Sequence, residues 1–339
     1  MAKVYFSKKI EKILEKIDFS KLGKRVAIKL HFGEKGCVTY INPEIVKKVY
    51  KKIIDGGKDV GLVDCNVLYR GERTQASSHI KLAKEHGFDF APIEILDGEK
   101  GDEFIEVNLK KGFVSPVRIG KRIKKYDSMI VLSHFKGHCI AGFGGAIKNI
   151  GMGLGSRAGK LQMHSDMELH VDKRKCIGCG ICIKNCNFNA IELVNKKAEI
   201  NPEKCSGCAM CIAVCPEKAV KWRGSTSEEL QEKIVDYADG VFRLIPKEKI
   251  IFINVLENIT KNCDCMGAFQ QPMMDDIGIL MSDDIVAVDK ASLDLVNSKS
   301  GGKFNNLHGI NCDVQINYAF EKGLGKKEYE IISLDDYKN

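Results

Sequence analysis

The sequence predicts an α/β protein: a two-lobed, mainly parallel α/β domain with a small α+β module set into it. Three observations carry this expectation. Segments of helical apolar period alternate with short apolar runs through the first 133 residues, the same alternation resumes after residue 224, and two cysteine motifs of identical spacing lie between. Alternation of this kind favours strands paired in parallel and covered by helices. The expected segments are 1–168 and 224–339 for the two parts of the α/β domain and 169–223 for the cysteine module.

Ile10, Ile13, Leu14 and Ile17 recur at the helical period, and Arg25 to Phe32 is an apolar run of strand length. Asn42 and Pro43 form the N-cap and first turn of a helix that Gly56 and Gly57 should end. A strand is expected from Asp59 to Cys65, a helix from Ala76 to Gly87, and a strand from Asp127 to Ser133 centred on Met129, Ile130, Val131 and Leu132. Between Gly137 and Gly159 glycine recurs every second to sixth position, as in tight turns or close approach to a ligand. Beyond the module come a helix from Glu228, a strand from Lys249 to Val255, an Asp-rich stretch from Asp275 to Asp289, a helix from Val314 to Glu321 and a strand near Tyr329 to Leu334.

The 339 residues suggest about two domains. No apolar run approaches the roughly 20 residues of a membrane span. Residues Met1 to Ile10 contain no apolar export segment, so the expected location is cytoplasmic. In that setting fourteen cysteines point to thiolate ligands rather than disulfides. The net charge of +8 is dispersed in short runs such as Lys47, Lys48, Lys51 and Lys52, or Lys121, Arg122, Lys124 and Lys125, without interleaved aromatics. That pattern describes solvated faces rather than a nucleic-acid stripe.

Cys176, Cys179, Cys182 and Cys186 follow the spacing C-x2-C-x2-C-x3-C, which Cys205, Cys208, Cys211 and Cys215 repeat, with Pro216 after the last. This is the bacterial two-cluster ferredoxin run, in which the fourth cysteine of each motif serves the other cluster. One 4Fe–4S cluster should take Cys176, Cys179, Cys182 and Cys215, and the other Cys205, Cys208, Cys211 and Cys186. Structural zinc would leave the third and fourth cysteines of each motif surplus. Asn187 stands where a proline usually follows the fourth cysteine, which changes a turn and not a ligand. Lys173, Arg174 and Lys175 beside the first motif suit an acidic redox partner.

A second constellation comprises His134, His138, Cys139, Lys148 and His164 around Gly142, Gly144 and Gly145, just after an expected strand. A ligand cradle at a sheet's carboxyl edge and a glycine-rich packing loop both remain open. Gly159-Lys160 is followed by Leu161 and not by Ser or Thr, which argues against a nucleotide-phosphate loop. Cys263 and Cys265 either chelate a soft metal or a further cluster, with Cys139, Cys37 or Cys312, or are ordinary thiols. Cys65 reads as core, and Asp275, Asp276, Asp283 and Asp284 as acid/base groups or solvated turns.

Across nearly its whole length the chain resembles a prokaryotic family called domain of unknown function 362, many of whose members carry a two-cluster ferredoxin insert. The resemblance lies in His31-Phe-Gly-Glu34, in Gly137-His138 through Lys148-Asn-Ile-Gly151, and in Asp276-Ile-Gly278 through Asp289. The glycine-rich segment also looks like that of the nickel-dependent lactate racemases. That resemblance implies an acid/base role for His138, a nickel-pincer nucleotide tethered by Lys148, and metal ligation by His164. Gly144 replaces the serine of that pattern, Cys139 is additional, and the racemases lack a ferredoxin insert. His79 and Arg73 are weaker candidates for the same pocket.

The function expected from these readings is an iron–sulfur oxidoreductase passing electrons through two 4Fe–4S clusters to a small-molecule or metal-cofactor site. An additional metal or nickel-type cofactor is included, and the expected partners are a redox protein and a small-molecule substrate. The alternatives are a non-catalytic electron carrier or adaptor, and a racemase-like enzyme with structural clusters.

Overall fold

In a computed structural model, residues 1–335 are described, the side chains of residues 166–168 excepted; residues 336–339 of the expected last segment lie outside them. The chain begins with β1 (Ala2–Ser7), α1 (Ile10–Glu15), β2 (Arg25–Lys29), α2 (Pro43–Asp55) and β3 (Asp59–Asp64). Next come α3 (Ala76–Ala83), β4 (Ile93–Ile95), the pair β5 (Phe104–Val107) and β6 (Val117–Gly120), and β7 (Ser128–His134). Asn42 caps α2 by accepting from the Glu44 amide at 3.0 Å, with Pro43 in the first turn. Gly57 beyond its end adopts φ +74°, as the sequence led one to expect.

The glycine-rich segment, expected as tight turns or a close approach to a ligand, folds as β8 (Lys136–His138), β9 (Gly142–Gly144), α4 (Ala146–Leu154) and α5 (Arg157–His164). The Asp-rich stretch contains β15 (Gly278–Ser282) and the start of a helix. Between α5 and β15 run β10 (Ser165–Val171), α6 (Ile181–Lys184), β11 (Ile191–Val194), β12 (Lys197–Ile200), α7 (Met210–Val214), β13 (Val220–Gly224), α8 (Ser227–Phe242) and β14 (Ile250–Leu256). The chain then closes with α9 (Ile285–Lys299), α10 (Asp313–Glu321) and β16 (Tyr329–Ser333). Among the described residues no helix is long and apolar enough to cross a membrane.

Eight strands form one sheet in the order β16-β1-β15-β14-β7-β2-β3-β4. Every neighbouring pair is parallel except the two that β15 makes with β1 and β14. The central strands are buried on both faces, which explains their continuous apolar runs. Alternation sorts their side chains: Met129 and Val131 join one core beneath α4, α8, α9 and α10, while Ile130 and Leu132 join the other with α1 and α2. From β2 the chain steps outward to β3 and β4, whereas β7 and β14 lie on the other side of β2. The strand order therefore reverses between β2 and β7, where a crevice opens at the carboxyl ends.

Strands β10 and β13 pair antiparallel from Ser165↔Gly224 to Val171↔Val220, and β11 pairs with β12. The small unit they enclose has its own apolar cluster, into which Leu68 and Leu161 of the large domain are packed.

Candidate functional site

The cysteines of the small unit lie on a repeated backbone. Gly178 and Gly207 take φ of +71° and +68°, and Gly180 and Ala209, each ahead of a helical turn, take +71° and +62°. A void beside α6 is lined by Cys176, Cys179, Cys182 and Cys215, with Val171, Ala198 and Val220 around them. A second, beside α7, is lined by Cys186, Cys205, Cys208 and Cys211, with Leu169, Ile191 and Ile200. The fourth cysteine of each motif has thus crossed to the other set, and none of the eight is in a disulfide. Backbone amides donate to three of the sulfurs: Ala198 to Cys176 at 3.4 Å, Ala190 to Cys186 at 3.4 Å and Ala219 to Cys215 at 3.2 Å. Cys179 is exposed, whereas the second set abuts the large domain, where the Arg157 guanidinium lies 3.4 Å from Met210 Sδ.

The principal cleft, about 800 Å³ of free space, opens where the strand order reverses. Lys29 and His31 reach it from the end of β2, Asp64 from β3, and Ser133 and His134 from β7. Lys136, His138, Gly144, Gly145 and Lys148 follow, then Lys160 and His164 of α5, and Cys263 and Cys265 from the loop after β14. The three predicted residues His138, Lys148 and His164 are therefore together, with two of the three predicted glycines. Gly142 is not among the lining residues; its left-handed backbone, φ +74°, packs against Cys312. Arg73 lines the cleft, while His79 is buried behind Asp64 at 3.7 Å.

Five cationic side chains, Lys29, Arg73, Lys136, Lys148 and Lys160, line this cleft against one carboxylate, Asp64. Lys29 pairs with Asp64 at 3.0 Å and also reaches Asn149 at 2.8 Å. Arg73 is shared between Asp64 at 3.6 Å and Glu34 at 3.4 Å. Lys136 pairs at 3.0 Å with Asp264, which lies behind the wall. Lys148 has no hydrogen-bond or ion-pair partner among the described residues, so its charge is available to a ligand. Gly153 leaves room for Lys29: a Cβ there would stand 2.6 Å from its Nζ.

The histidines divide by their partners. His134 is engaged at both ring nitrogens by oxygen acceptors, Asp264 at 2.8 Å and the Glu257 carbonyl at 3.0 Å, which leaves neither for a ligand. His138 Nδ1 accepts from the Ile140 and Ala141 amides at 3.2 and 3.0 Å, so its proton sits on Nε2. Burial, helped by Lys148, holds His138 well below the ordinary histidine range, and burial with Lys148 and Lys160 lowers His164 to about 4. Both are neutral near pH 7. The N-terminus of α4 is closed by Asp289, which accepts from the Ala146 and Ile147 amides at 2.7 and 2.8 Å, so it offers no phosphate site.

The sequence reads Cys263 and Cys265 either as a chelate for a soft metal or further cluster, with Cys139, Cys37 or Cys312, or as ordinary thiols, and none of those three cysteines joins them in the structure. Cys139 is exposed, Cys37 contacts Asp264, and Cys312 packs under Gly142. The donor atoms of Cys263, Cys265 and His138 instead lie within 4.8 Å of one another, the one such triple of metal-ligating side chains among the described residues. Lys29, His31 and Asp64 were also missed as cleft residues; their signal was position at a strand's carboxyl end. Of the carboxylates considered, Asp284 caps α9 and Asp276 accepts from the Asn258 amide at 2.7 Å.

A family model described as Domain of unknown function (DUF362) matches residues 26–294. No curated protein matches the chain. Among solved structures it is similar to the lactate racemase apoprotein from Thermoanaerobacterium thermosaccharolyticum, with 13% identity over 88% of this chain and 58% of that one, at a TM-score of 0.44. It is also similar to a protein from Thermotoga maritima, with 9% identity over 86% of this chain and 60% of that one, at a TM-score of 0.46. The chain spans about three fifths of the length of these structures.

Proposed function

Because the chain belongs to the DUF362 family, whose description states no activity, we propose its function from the site itself: an iron–sulfur redox protein serving a cleft that binds a small anionic molecule. The observation that carries this reading is the crosswise sorting of eight cysteines around two voids. Apolar walls and amide donors to three sulfurs suit 4Fe–4S clusters, whose potentials depend on hydrogen bonds to sulfur and on exposure. When bound, such clusters supply one-electron transfer. Cys179 lies at the surface, where a redox protein can dock beside Lys173 and Arg174. Leu68 belongs both to the apolar cluster of the small unit and to the cleft wall, so the two sites share a partition.

In the cleft, Lys148 supplies an unpaired cation for a carboxylate or phosphate, His138 donates from Nε2, and neutral His164 accepts a proton. Anaerobic purification followed by iron and acid-labile sulfide assay tests the cluster half: eight of each per chain are expected from two four-iron clusters. A colourless, iron-free protein would overturn it. Replacing Cys211 by serine should reduce the iron content.

A second reading, a racemase-like site, is favoured by one observation: the free amine of Lys148 shares a wall with His164 and His138. There Lys148 would tether a nickel-type cofactor, His164 would ligate it and His138 would act as acid/base. Intact-mass analysis decides, since this reading requires an adduct that Lys148→Ala removes.

A further inference from the structure

Cys263 opens a turn in which the Met266 amide donates to the Cys263 carbonyl at 2.9 Å. Asp264, at the middle of Cys-Asp-Cys, is drawn to one side by Lys136 and His134. The flanking thiols meet on the other side, beside His138. A metal is the first ligand to consider for two cysteines and a histidine, but the hydrogen bonding opposes it. A ligating histidine presents a bare nitrogen and donates through the other. In His138 the bare nitrogen already accepts from two amides, and Nε2 carries the hydrogen. Two thiolates alone do not complete a tetrahedral site.

We infer that Cys263 and Cys265 are a redox-active dithiol that closes to an intramolecular disulfide and reopens. Closing breaks two S–H bonds and forms one Sγ–Sγ bond, releasing two protons to water in the cleft and two electrons. The electron acceptors are two one-electron iron–sulfur centres, so this inference rests on the function proposed above; reopening takes two electrons from the same class of donor. Two cysteine sets of four match a two-electron pair in number.

Three features fit this chemistry. The sulfurs already lie within 4.8 Å, so a small rotation brings them toward the 2.0 Å bond that a disulfide requires. The hydrogen bond from Cys265, with Lys148 and Lys136 nearby, holds the Cys263 thiol well below its ordinary range, while the Cys265 thiol is pushed up, so the pair carries its thiolate, the form that attacks, on Cys263. Cys265 also lines an outer groove with Tyr69, Arg70 and Glu72, whereas Cys263 is only 4% exposed. The pair is thus reachable from outside through Cys265, as exchange with a dissolved dithiol requires.

The test uses cluster-loaded full-length protein, equilibrated without oxygen against graded ratios of oxidised and reduced dithiothreitol, then alkylated and read by peptide mass. Both thiols should be alkylated at the reducing end. Neither should react at the oxidising end, where the peptide is lighter by two hydrogens and the iron and sulfide contents are unchanged. Cys263→Ser or Cys265→Ser should abolish the transition, and Cys139→Ser should leave it. Thiols that stay alkylatable at every ratio would overturn the inference, as would a metal ion beyond the cluster iron that either serine variant removes. An iron-free protein whose pair still cycles would overturn the earlier reading and support the dithiol itself.

Discussion

Replacing Asp264 by alanine should be among the most destabilising single changes in this protein. Its carboxylate is fully buried and takes Lys136 Nζ at 3.0 Å and His134 Nδ1 at 2.8 Å. Burial works against its charge, but His134 and Lys136 prevail and hold it well below the usual carboxylate range. Removing one partner of such a pair strands a buried cation, at a cost of about 3–5 kcal/mol. The hydrogen bonds lost are part of that figure and not an addition to it. The double variant Asp264→Ala/Lys136→Met removes both charges and should recover about half of the loss. Urea unfolding followed by circular dichroism, without oxygen, reads both. A single-variant loss under about 1 kcal/mol, or a double variant as costly as the two single changes summed, would refute the reasoning. A lowered carboxyl stabilises the fold fully above its unfolded pKa of about 3.9, and that contribution fades as pH falls toward the folded value. The stability curves of wild type and Asp264→Ala should therefore converge in acid.

Burial pushes Asp289 up to about 6, against the amides and Asn254 that lower it. A raised carboxyl favours the fold below about pH 4 and loses that contribution as pH climbs through 6, by about 3 kcal/mol in all, so Asp289→Asn should flatten the pH dependence of thermal unfolding between pH 4 and 7. Gly151→Ala would set a Cβ 2.2 Å from the Ile234 carbonyl oxygen of α8. It should cost about 1–3 kcal/mol in urea unfolding, and an unchanged midpoint would deny the close α4–α8 approach. Lys148→Gln should weaken oxalate binding about tenfold by calorimetry, and wild-type affinity should fall with added salt; equal affinities would remove Lys148 from the anion site.

Strands β2, β3, β7 and β14 were legible because they are buried on both faces and so stand out as apolar runs between helices; β1 and β4 were not read, since β1 mixes lysine with half-buried residues and β4 is three residues long. Asn42, Pro43 and Gly57 announce α2 through local chemistry alone. Helix α4 was hidden because Gly151 and Gly153 weaken its intrinsic propensity; close approach to α8 and room for Lys29 outweigh that loss. Strand β15 was missed because Asp275, Asp276, Asp283 and Asp284 flank a short apolar run and dominate the local composition. The crosswise cysteines were read from spacing, and the grouping of His138, Lys148 and His164 from the resemblance of their segment to the lactate racemases. The cleft's second wall was not, because Lys29, Asp64 and Cys263 converge only when β2, β3 and β14 lie side by side.

Ser165 and Gly224 face one another across β10 and β13, so the chain enters and leaves the cysteine unit through a single doorway. The unit's covalent attachment thus occupies one corner of its outline. Ile177, at 64% exposure, and Cys179 lie at the surface of the unit. With both chain ends at that corner, the unit's seat against Leu68 and Arg157 is set by side-chain packing and not by a further covalent crossing.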